Sequence, residues 1–439
     1  MRLRNLLVAL VIAAGLGGAV WYALKHPPGS GAKATPDTSV KVVNIPEDQI
    51  RQIEVKKRDG SDLTLVHENR KWSLAGKENF PADQDAVSGL AGALAPLSAD
   101  FLENKPSDLA GYGLTQPALT VTVQRANGKS EQVILGDDVP GGSQTYLQRV
   151  GDSKVYLAST SVRSSLDKQV NDLRDKRLMT FDNDKVTRIQ LDAKKQTIEF
   201  GKNNQNEWQI LKPGPYRADS FSVEDLLRKL KDAKMDLSLS AEDAKKADAQ
   251  FAGGKIVATA RVTDAAATQT LEVRKNKDAY FARSSAVKGT FKVTADLGTG
   301  LDKSIDDFRN KKLFDFGFND PSKIEIHNGA ATSAYVKSGP DWKANGKTMD
   351  SASVQSVIDQ LRDLSAAKFV ETGFTVPALD ITVTSNDGKR VEKVEFSKTL
   401  DGYIARRANE PALYQLASKS VDDILKGTKE IKESTAHKK

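Results

Sequence analysis

The sequence lacks cysteine altogether. This absence excludes disulfide scaffolds, thiolate metal sites, cysteine nucleophiles and a lipidated N-terminal cysteine. Histidine is scarce as well, since the chain has four: His26, His67, His327 and His437. None of them has a second histidine, or a glutamate, at metal-ligand spacing on a helix, so we expect no zinc site.

Motifs of common catalytic sites are also missing. The chain has no Gly-x-Ser-x-Gly elbow and no Walker-type phosphate loop. Residues 182–184 resemble the start of a calcium loop, but Thr187 stands where glycine is required and Ala193 where glutamate belongs. We interpret this segment as a turn, and we predict a protein that is not an enzyme and uses no metal or cofactor.

The sequence has no large excess of basic or of acidic residues. The 439 residues include 65 lysines and arginines against 58 aspartates and glutamates, and the two signs are interspersed. Because no basic stripe is visible, we expect no nucleic-acid partner. The length suggests about three domains, and a hydrophobic content of 39% lets each of them bury a core.

An apolar segment opens the chain. Residues 5–24 include no charged side chain, and a helix of this length spans roughly 30 Å, the thickness of a bilayer core. Trp21 and Tyr22 stand at its outer end, where amphipathic rings favour the interface. We predict a transmembrane anchor over residues 1–26. A cleaved signal peptide is the alternative, but apolar residues continue past its cleavage site to Leu24, which favours the anchor.

The flanking charges predict the orientation of this anchor. Arg2 and Arg4 precede it, while Lys25 and Lys33 follow it. A short basic tail that stays inside, with a long body that crosses, is the commoner topology. We therefore expect a single-pass protein of the cytoplasmic (inner) membrane with an extracytoplasmic body, tethered by a flexible linker at residues 27–39.

Small residues recur within the apolar segment at a spacing of four. Ala14 and Gly18 form one small-xxx-small pair, and Gly15 and Ala19 form another. Such pairs let a second helix approach closely within lipid. The alternative is that small residues are simply common in membrane spans and around cleavage sites.

The body repeats itself. Residues 166–181 read LDKQVNDLRDKRLMTF, and at an offset of 135 residues 301–316 read LDKSIDDFRNKKLFDF. This period is far too long for a stacking solenoid, so each repeat is large enough to be a domain. The predicted boundaries are repeat domains at 40–181, 182–316 and 317–433, and a tail at 434–439.

Each repeat follows one plan. Two alternating strands lead into a short strand that carries a tryptophan: Trp72, Trp208 or Trp342. An aspartate then precedes apolar residues at helical spacing: Asp83, Asp219 or Asp350. Short strands joined by turns, with a few helices, indicate the α+β class. We predict three tandem repeated domains of antiparallel sheet plus helices, behind one N-terminal transmembrane helix.

Other recurring residues have structural interpretations. The tryptophans are expected to fill domain cores, whereas a carbohydrate platform would need them exposed. Strands at Tyr146, Tyr280 and Tyr403 carry an arginine three residues later, on the opposite face. We therefore expect these tyrosines to point inward and the arginines to point into water.

Charged segments between the elements have interpretations of the same kind. Basic residues cluster at the predicted C-terminal ends of the two repeated helices. One cluster is Arg174, Lys176 and Arg177, and the other is Arg309, Lys311 and Lys312. We interpret them as cations that offset helix carbonyls, with Asp172 and Asp307 as partners. Docking to anionic lipid or to a protein is the alternative. Residues 136–142, rich in Asp and Gly, are expected to form an ordinary strand connection.

Several motifs together resemble a known family. They are the tryptophan strand before Pro-Ala-Asp at residues 81–83, Gly-Tyr-Gly-Leu-x-x-Pro at 111–117 and Leu-Arg-Asp-Lys at 173–176. In this order they resemble the family catalogued as domain of unknown function 4340. The resemblance covers most of residues 40–316 and, more weakly, the third repeat.

The resemblance implies a function as well as a fold. Members have an N-terminal membrane segment and a long extracytoplasmic body. They are often encoded beside ABC transporter-like components related to gliding-motility systems, and no catalytic residues are established for them. We therefore expect a non-enzymatic, membrane-anchored scaffold or accessory subunit of an ABC transporter-like envelope complex, with a permease-like partner. An envelope glycan- or lipid-binding protein is the alternative, its ligand undefined.

Overall fold

The computed structural model describes residues 39–76, 80–318, 321–408 and 410–435. The predicted anchor, with Ala14, Gly15, Gly18 and Ala19, lies outside the described residues, as do linker residues 27–38. Among the helices that are described, none is both long and apolar enough to cross a bilayer.

The chain divides into two compact units, residues 1–175 and residues 176–439. The first unit contains one antiparallel sheet and the second contains two. Helices accompany each sheet. The predicted α+β class with antiparallel sheets is therefore confirmed.

The first unit contains a ten-stranded sheet. Its strands are β1 (Ser39–Lys41), β2 (Ile50–Lys57), β3 (Asp62–Glu68), β4 (Lys71–Ala75), β5 (Phe80–Pro81), β6 (Ser98–Asn104), β7 (Leu119–Arg125), β8 (Ser130–Asp138), β9 (Gln144–Arg149) and β10 (Lys154–Ser159). Its helices are α1 (Gln84–Leu94), α2 (Thr160–Leu166) and α3 (Val170–Leu173). The strand order is β1-β6-β10-β9-β8-β7-β2-β3-β4-β5.

The second unit begins with an eight-stranded sheet. Its strands are β11 (Arg188–Ala193), β12 (Gln196–Lys202), β13 (Trp208–Lys212), β14 (Tyr216–Arg217), β15 (Lys255–Thr263), β16 (Thr268–Asn276), β17 (Ala279–Ser284) and β18 (Thr290–Val293). Its helices are α4 (Ser220–Lys231), α5 (Ala241–Ala252) and α6 (Ala295–Leu301). The strand order is β14-β13-β12-β11-β15-β16-β17-β18.

A nine-stranded sheet completes the second unit. Its strands are β19 (Lys323–Asn328), β20 (Ala331–Ser338), β21 (Asp341–Ala344), β22 (Lys347–Met349), β23 (Lys368–Val370), β24 (Leu379–Ser385), β25 (Arg390–Thr399), β26 (Gly402–Arg407) and β27 (Leu413–Leu416). Its helices are α7 (Ser351–Asp363) and α8 (Ser418–Glu430). The strand order is β22-β21-β20-β19-β24-β25-β26-β27-β23.

Each sheet buries one face beneath amphipathic helices. In β24, Leu379, Ile381 and Val383 are buried and the intervening residues are half-buried, which is the period of two that a half-covered strand requires. The helices meet this face with residues at helical spacing, such as Val354, Val357, Ile358 and Leu361 of α7. A separate hydrophobic core lies under the helices of each sheet.

The predicted helix starts are confirmed. The carboxylates of Asp83, Asp219 and Asp350 each accept a hydrogen bond from the backbone N–H three residues later. This satisfies one of the donors that the first turn of a helix leaves free.

Residues that precede two of the predicted domain boundaries pack in the core of the following sheet. Leu178, Met179 and Phe181 pack in the second core, although their residues were assigned to the first repeat. Leu313 and Phe316 likewise pack in the third core. The break between the compact units falls between residues 175 and 176 rather than after residue 181.

Two further segments are helical. The C-terminal lysine-rich stretch from Val421 to Glu430 lies in α8, which buries Val421 and Ile424. Gly427 allows α8 to approach α7, because a Cβ there would lie 2.8 Å from Oε1 of Gln360. In the second repeat, helix α5 stands in the place of the motif that the first repeat carries at residues 111–117.

The cap of α7 provides a test of the helix assignment. Replacing Asp350 with alanine removes the side-chain acceptor of the Ser353 N–H, so we expect the free energy of unfolding to fall by about 0.5–2 kcal/mol. Urea denaturation followed by circular dichroism measures the change. Asp350→Asn, which keeps an acceptor, is the matched control, and an equal loss in both variants would contradict the assignment.

Candidate functional site

The three tryptophans lie inside the cores. Trp72, Trp208 and Trp342 are between 4% and 6% exposed, and each belongs to the core of its own sheet. His67 stacks on Trp72, with 4.6 Å between ring centroids. The core interpretation is therefore confirmed, and these residues do not form a carbohydrate platform.

In the second and third sheets, the tyrosine of the Tyr-x-x-Arg strand points into the core and the arginine is exposed, as predicted. Tyr280 and Tyr403 are buried in their cores, while Arg283 and Arg406 are exposed. The prediction is wrong for Tyr146, which lies half-buried on the outer face against Tyr112, at 4.5 Å between ring centroids. Leu147 takes the inward position there instead, because it pairs with Leu135 of the core face.

The acidic loop at residues 136–142 is a structural connection, as expected. The main chain of Asp137 donates to the carbonyl of Tyr112, and a Cβ at Gly136 would lie 2.0 Å from that oxygen. The carboxylate of Asp137 pairs with Arg58 at 2.7 Å, and that of Asp138 pairs with Arg163 at 2.8 Å. The glycine-rich motif at 111–117 therefore packs on a bulge of β8.

The basic segment at Arg309 does not behave as a simple helix end. Its guanidinium carbon lies 4.3 Å from the ring centroid of Tyr216 and 3.5 Å from that of Phe369, and the side chain is 12% exposed. The expected partner Asp307 instead accepts the backbone N–H of Ser304 at 2.7 Å. In the first repeat, Asp172 does the same for Gln169.

Arg309 therefore belongs to a junction between the second and third sheets. Tyr216 comes from β14 and Phe369 from β23, so the guanidinium group is held between rings of both sheets. Tyr216 packs against both cores. Cation–π contacts of this kind strengthen when they are desolvated.

A second arginine, Arg217 of β14, also lies in this junction. The guanidinium group of Arg217 lies 3.3 Å from Oδ2 of Asp315 and 3.3 Å from the hydroxyl of Tyr414. It also donates to the carbonyl of Lys312. Its Nε lies 2.9 Å from Oε1 of Glu410, a charge–charge contact without hydrogen-bond alignment.

Arg407 binds the same carboxylate oxygen of Glu410 as Arg217. Its Nε donates to Oε1 of Glu410 at 2.7 Å, and its Nη2 donates to Oε1 of Glu392 at 3.0 Å. It also donates to the carbonyl of Leu313. Glu392 in turn accepts the backbone N–H of Asp315 at 2.9 Å. We call Arg217, Arg407, Glu392, Glu410, Asp315 and Tyr414 the junction cluster.

Burial and neighbouring charges shift the pKa values of three groups of the junction cluster, namely Glu410, Arg217 and Tyr414. Burial raises the pKa of Glu410, but Arg217 and Arg407 outweigh it and bring that pKa below its ordinary value. Burial lowers the pKa of Arg217, yet Tyr414 and Glu410 raise it overall. Burial also raises the pKa of the Tyr414 hydroxyl. At neutral pH Glu410 is therefore ionised while Arg217 and Tyr414 keep their protons.

One protein-family model matches most of the body of the chain. The model described as Domain of unknown function (DUF4340) matches the chain twice, at residues 72–250 and 208–377. The chain belongs to this family. The two matches begin at the tryptophans of β4 and β13, so the family pattern follows the tryptophan strands of successive repeats. Comparisons with curated proteins and with solved structures give no match.

Within the described residues, no group of three or more His, Asp or Glu side chains could hold a metal ion. Asp182 caps a 3-10 turn at Asn183–Lys185 and pairs with Lys185 at 2.9 Å, so the calcium-like segment is a turn, as predicted. His327 contacts the hydroxyl of Thr332. His26 and His437 lie outside the described residues.

The junction cluster escaped sequence reasoning because its partners are far apart in the chain. The signals that could have indicated it are weak. Arg217 stands where the first repeat has Pro81, and Arg407 follows the outward Arg406 on the inner face of β26.

Removing Arg217 tests the junction cluster. In Arg217→Ala, Glu410 keeps Arg407 but loses a cation in a site that is largely closed to water. We expect a loss of about 3 kcal/mol in the free energy of unfolding, measured by urea denaturation. The matched control is Arg228→Ala, because Arg228 is 70% exposed and pairs with Asp225; its loss should stay below about 0.5 kcal/mol. Similar losses in both variants would contradict the role of the cluster.

The lowered pKa of Glu410 predicts acid sensitivity. A carboxylate whose pKa falls on folding stabilises the fold above its ordinary pKa of 4.5, and this contribution disappears as the pH falls through the lowered folded value. We expect the stability of Glu410→Gln to depend less steeply on pH than that of the wild type between about pH 5 and about pH 2. Urea midpoints across this range measure the difference, and parallel curves would exclude the proposed charge state.

Proposed function

We propose that the protein is a non-enzymatic, membrane-anchored scaffold or accessory subunit of an ABC transporter-like envelope complex. In this proposal three tandem repeated domains stand on the extracytoplasmic side of the cytoplasmic membrane, behind one N-terminal transmembrane helix. The uncharged residues 5–24 support the anchor, and Arg2 and Arg4 support the orientation. The neighbourhood that family membership implies supports a permease-like partner.

The junction cluster is the observation that carries this proposal. Its arginines and carboxylates bind one another and main-chain carbonyls, where an active site would leave such groups facing a substrate. A body that joins two sheets through buried ion pairs is suited to presenting surfaces at a fixed spacing. The residues that recur in register, namely the tryptophans and the capping aspartates, serve the fold in every repeat.

Crosslinking in native membranes tests the proposal. Tagged full-length protein is crosslinked, solubilised in mild detergent and purified, and the copurifying proteins are identified by mass spectrometry. We expect a polytopic membrane protein, because accessory subunits remain bound to their permease. Ala14→Leu together with Gly18→Leu should weaken its recovery, since small residues allow close helix packing.

The control for the membrane experiment is a pair of leucine substitutions elsewhere in the segment, at Val8 and Val11, which leave the small residues in place. Protease protection in intact spheroplasts and in inverted vesicles checks the orientation. Recovery of the protein without a membrane partner would contradict the scaffold function.

An envelope glycan- or lipid-binding function is the second candidate. One observation favours it, a cleft of about 910 Å³ beside α5 in the second sheet. Its lining combines apolar groups such as Leu239 and Tyr280 with the lysines at 246 and 292, the mixture that amphiphilic ligands prefer. Purification without a membrane protein but with a bound lipid or glycan would favour this candidate.

A further inference from the structure

Lysines surround a second concavity at one end of the second sheet. It encloses about 600 Å³, and five ammonium groups line it: Lys194, Lys195, Lys255, Lys275 and Lys277. Among the described residues of its lining, Asp302 supplies the only carboxylate. The lysines meet because the β11–β12 turn, the start of β15 and the end of β16 lie at the same end of the antiparallel sheet.

These lysines are not used in ion pairs of the sheet. Within the described part of the chain, the lysine ion pairs of this sheet involve other residues: Lys185, Lys212, Lys229, Lys246 and Lys292. Asp307 lies within electrostatic range of Lys194, and the ammonium of Lys275 lies 5.4 Å from the ring centroid of Tyr280. The concavity therefore keeps a large uncompensated positive charge.

The strand register brings like charges together. Lys255 of β15 and Lys275 of β16 are directly opposite each other in the antiparallel pair. Like charges at opposed positions destabilise a sheet, and no carboxylate of the described residues lies between these strands in the lining. An anion in the concavity would relieve this repulsion.

Three of the five lysines lie in turns with a left-handed backbone. Lys194, Lys195 and Lys277 have φ values of 48°, 62° and 54°, in the left-handed region that glycine and asparagine favour. The hairpin turns of the first and third repeats that correspond to the β11–β12 turn use Gly60 and Gly329 at positive φ. Lysine is not favoured at such φ values, although Arg70 and Lys105 also adopt them.

We propose that this concavity binds a ligand with two or more phosphate groups. Each phosphate monoester carries about −1.5 to −2 charges at neutral pH, so two of them match five ammonium groups and one carboxylate. Lysine binds phosphate as a point charge, whereas planar carboxylate recognition favours arginine. Ile256, which is 61% exposed, stands in the lining beside the lysines. This inference does not depend on the scaffold function proposed above.

The test separates binding from folding by substitutions that suit the backbone. Lys194→Asn, Lys195→Gly and Lys277→Asn remove three charges and place favoured residues at positive φ. Thermal unfolding should show that this triple variant is at least as stable as the wild type. Its affinity for inorganic tripolyphosphate should fall by about tenfold or more, as measured by titration calorimetry on the full chain in uncharged detergent.

The matched control removes the same number of charges elsewhere. The control residues are exposed: Lys337 and Lys343 lie in strands of the third sheet, and Lys389 lies in the β24–β25 turn. Their replacement by glutamine should leave the affinity within about twofold of the wild type. Equal losses in the two triple variants, or no binding by the wild type, would overturn the proposal.

Two sources of phosphate can be distinguished in the same experiment. The titration is repeated in detergent micelles that contain phosphatidylglycerol. A weaker apparent affinity for tripolyphosphate in these micelles, absent in the lysine-depleted variant, would assign the concavity to clustered lipid headgroups. An unchanged affinity would assign it to a soluble polyphosphate, and either result supports a site for several phosphates.

Discussion

A buried guanidinium group needs carboxylate and carbonyl acceptors in fixed positions to replace its hydration. This constraint determines how the two sheets of the 176–439 unit are joined. The side chain of Arg217, from the second sheet, forms ion pairs with Glu410 and Asp315, which pack with the third sheet. Glu410 also holds Arg407, which binds Glu392, and Glu392 accepts the main chain of Asp315. Because every cation has more than one partner, the loss of a single contact leaves no charge wholly unmatched.

The fold was largely accessible to sequence reasoning where periodicity and chemistry agree. Trp342 is the buried residue of β21, and Asp350 caps helix α7. Both features could be predicted because each depends on one short stretch of chain. Helix α5 was not found, since its alanine- and lysine-rich sequence gives little apolar pattern beyond Ala247 and Phe251. The predicted inward position of Tyr146 was wrong because Leu147, which pairs with Leu135, occupies the core face of β9.

The candidate site was less accessible for a physical reason. The contact between Arg217 and Glu410 depends on how two sheets pack together. The local sequence around either residue gives no sign of its partner. Arg309 was interpreted as a solvated helix end because a charge in a basic cluster usually stays in water. The rings of Tyr216 and Phe369 provide the desolvated alternative, which requires knowledge of the strands that carry them.

The repeated segments at 166–181 and 301–316 have a consequence for how such a protein can evolve. Leu301 and Phe308 fill the second core, whereas Leu313, Phe314 and Phe316 fill the third. The stretch of sequence that is recognisably duplicated is therefore out of phase with the body that folds. Recombination that exchanged one repeat at the edges of the similarity would transfer part of a neighbour's core, so a functional exchange has to cut inside the most similar segment.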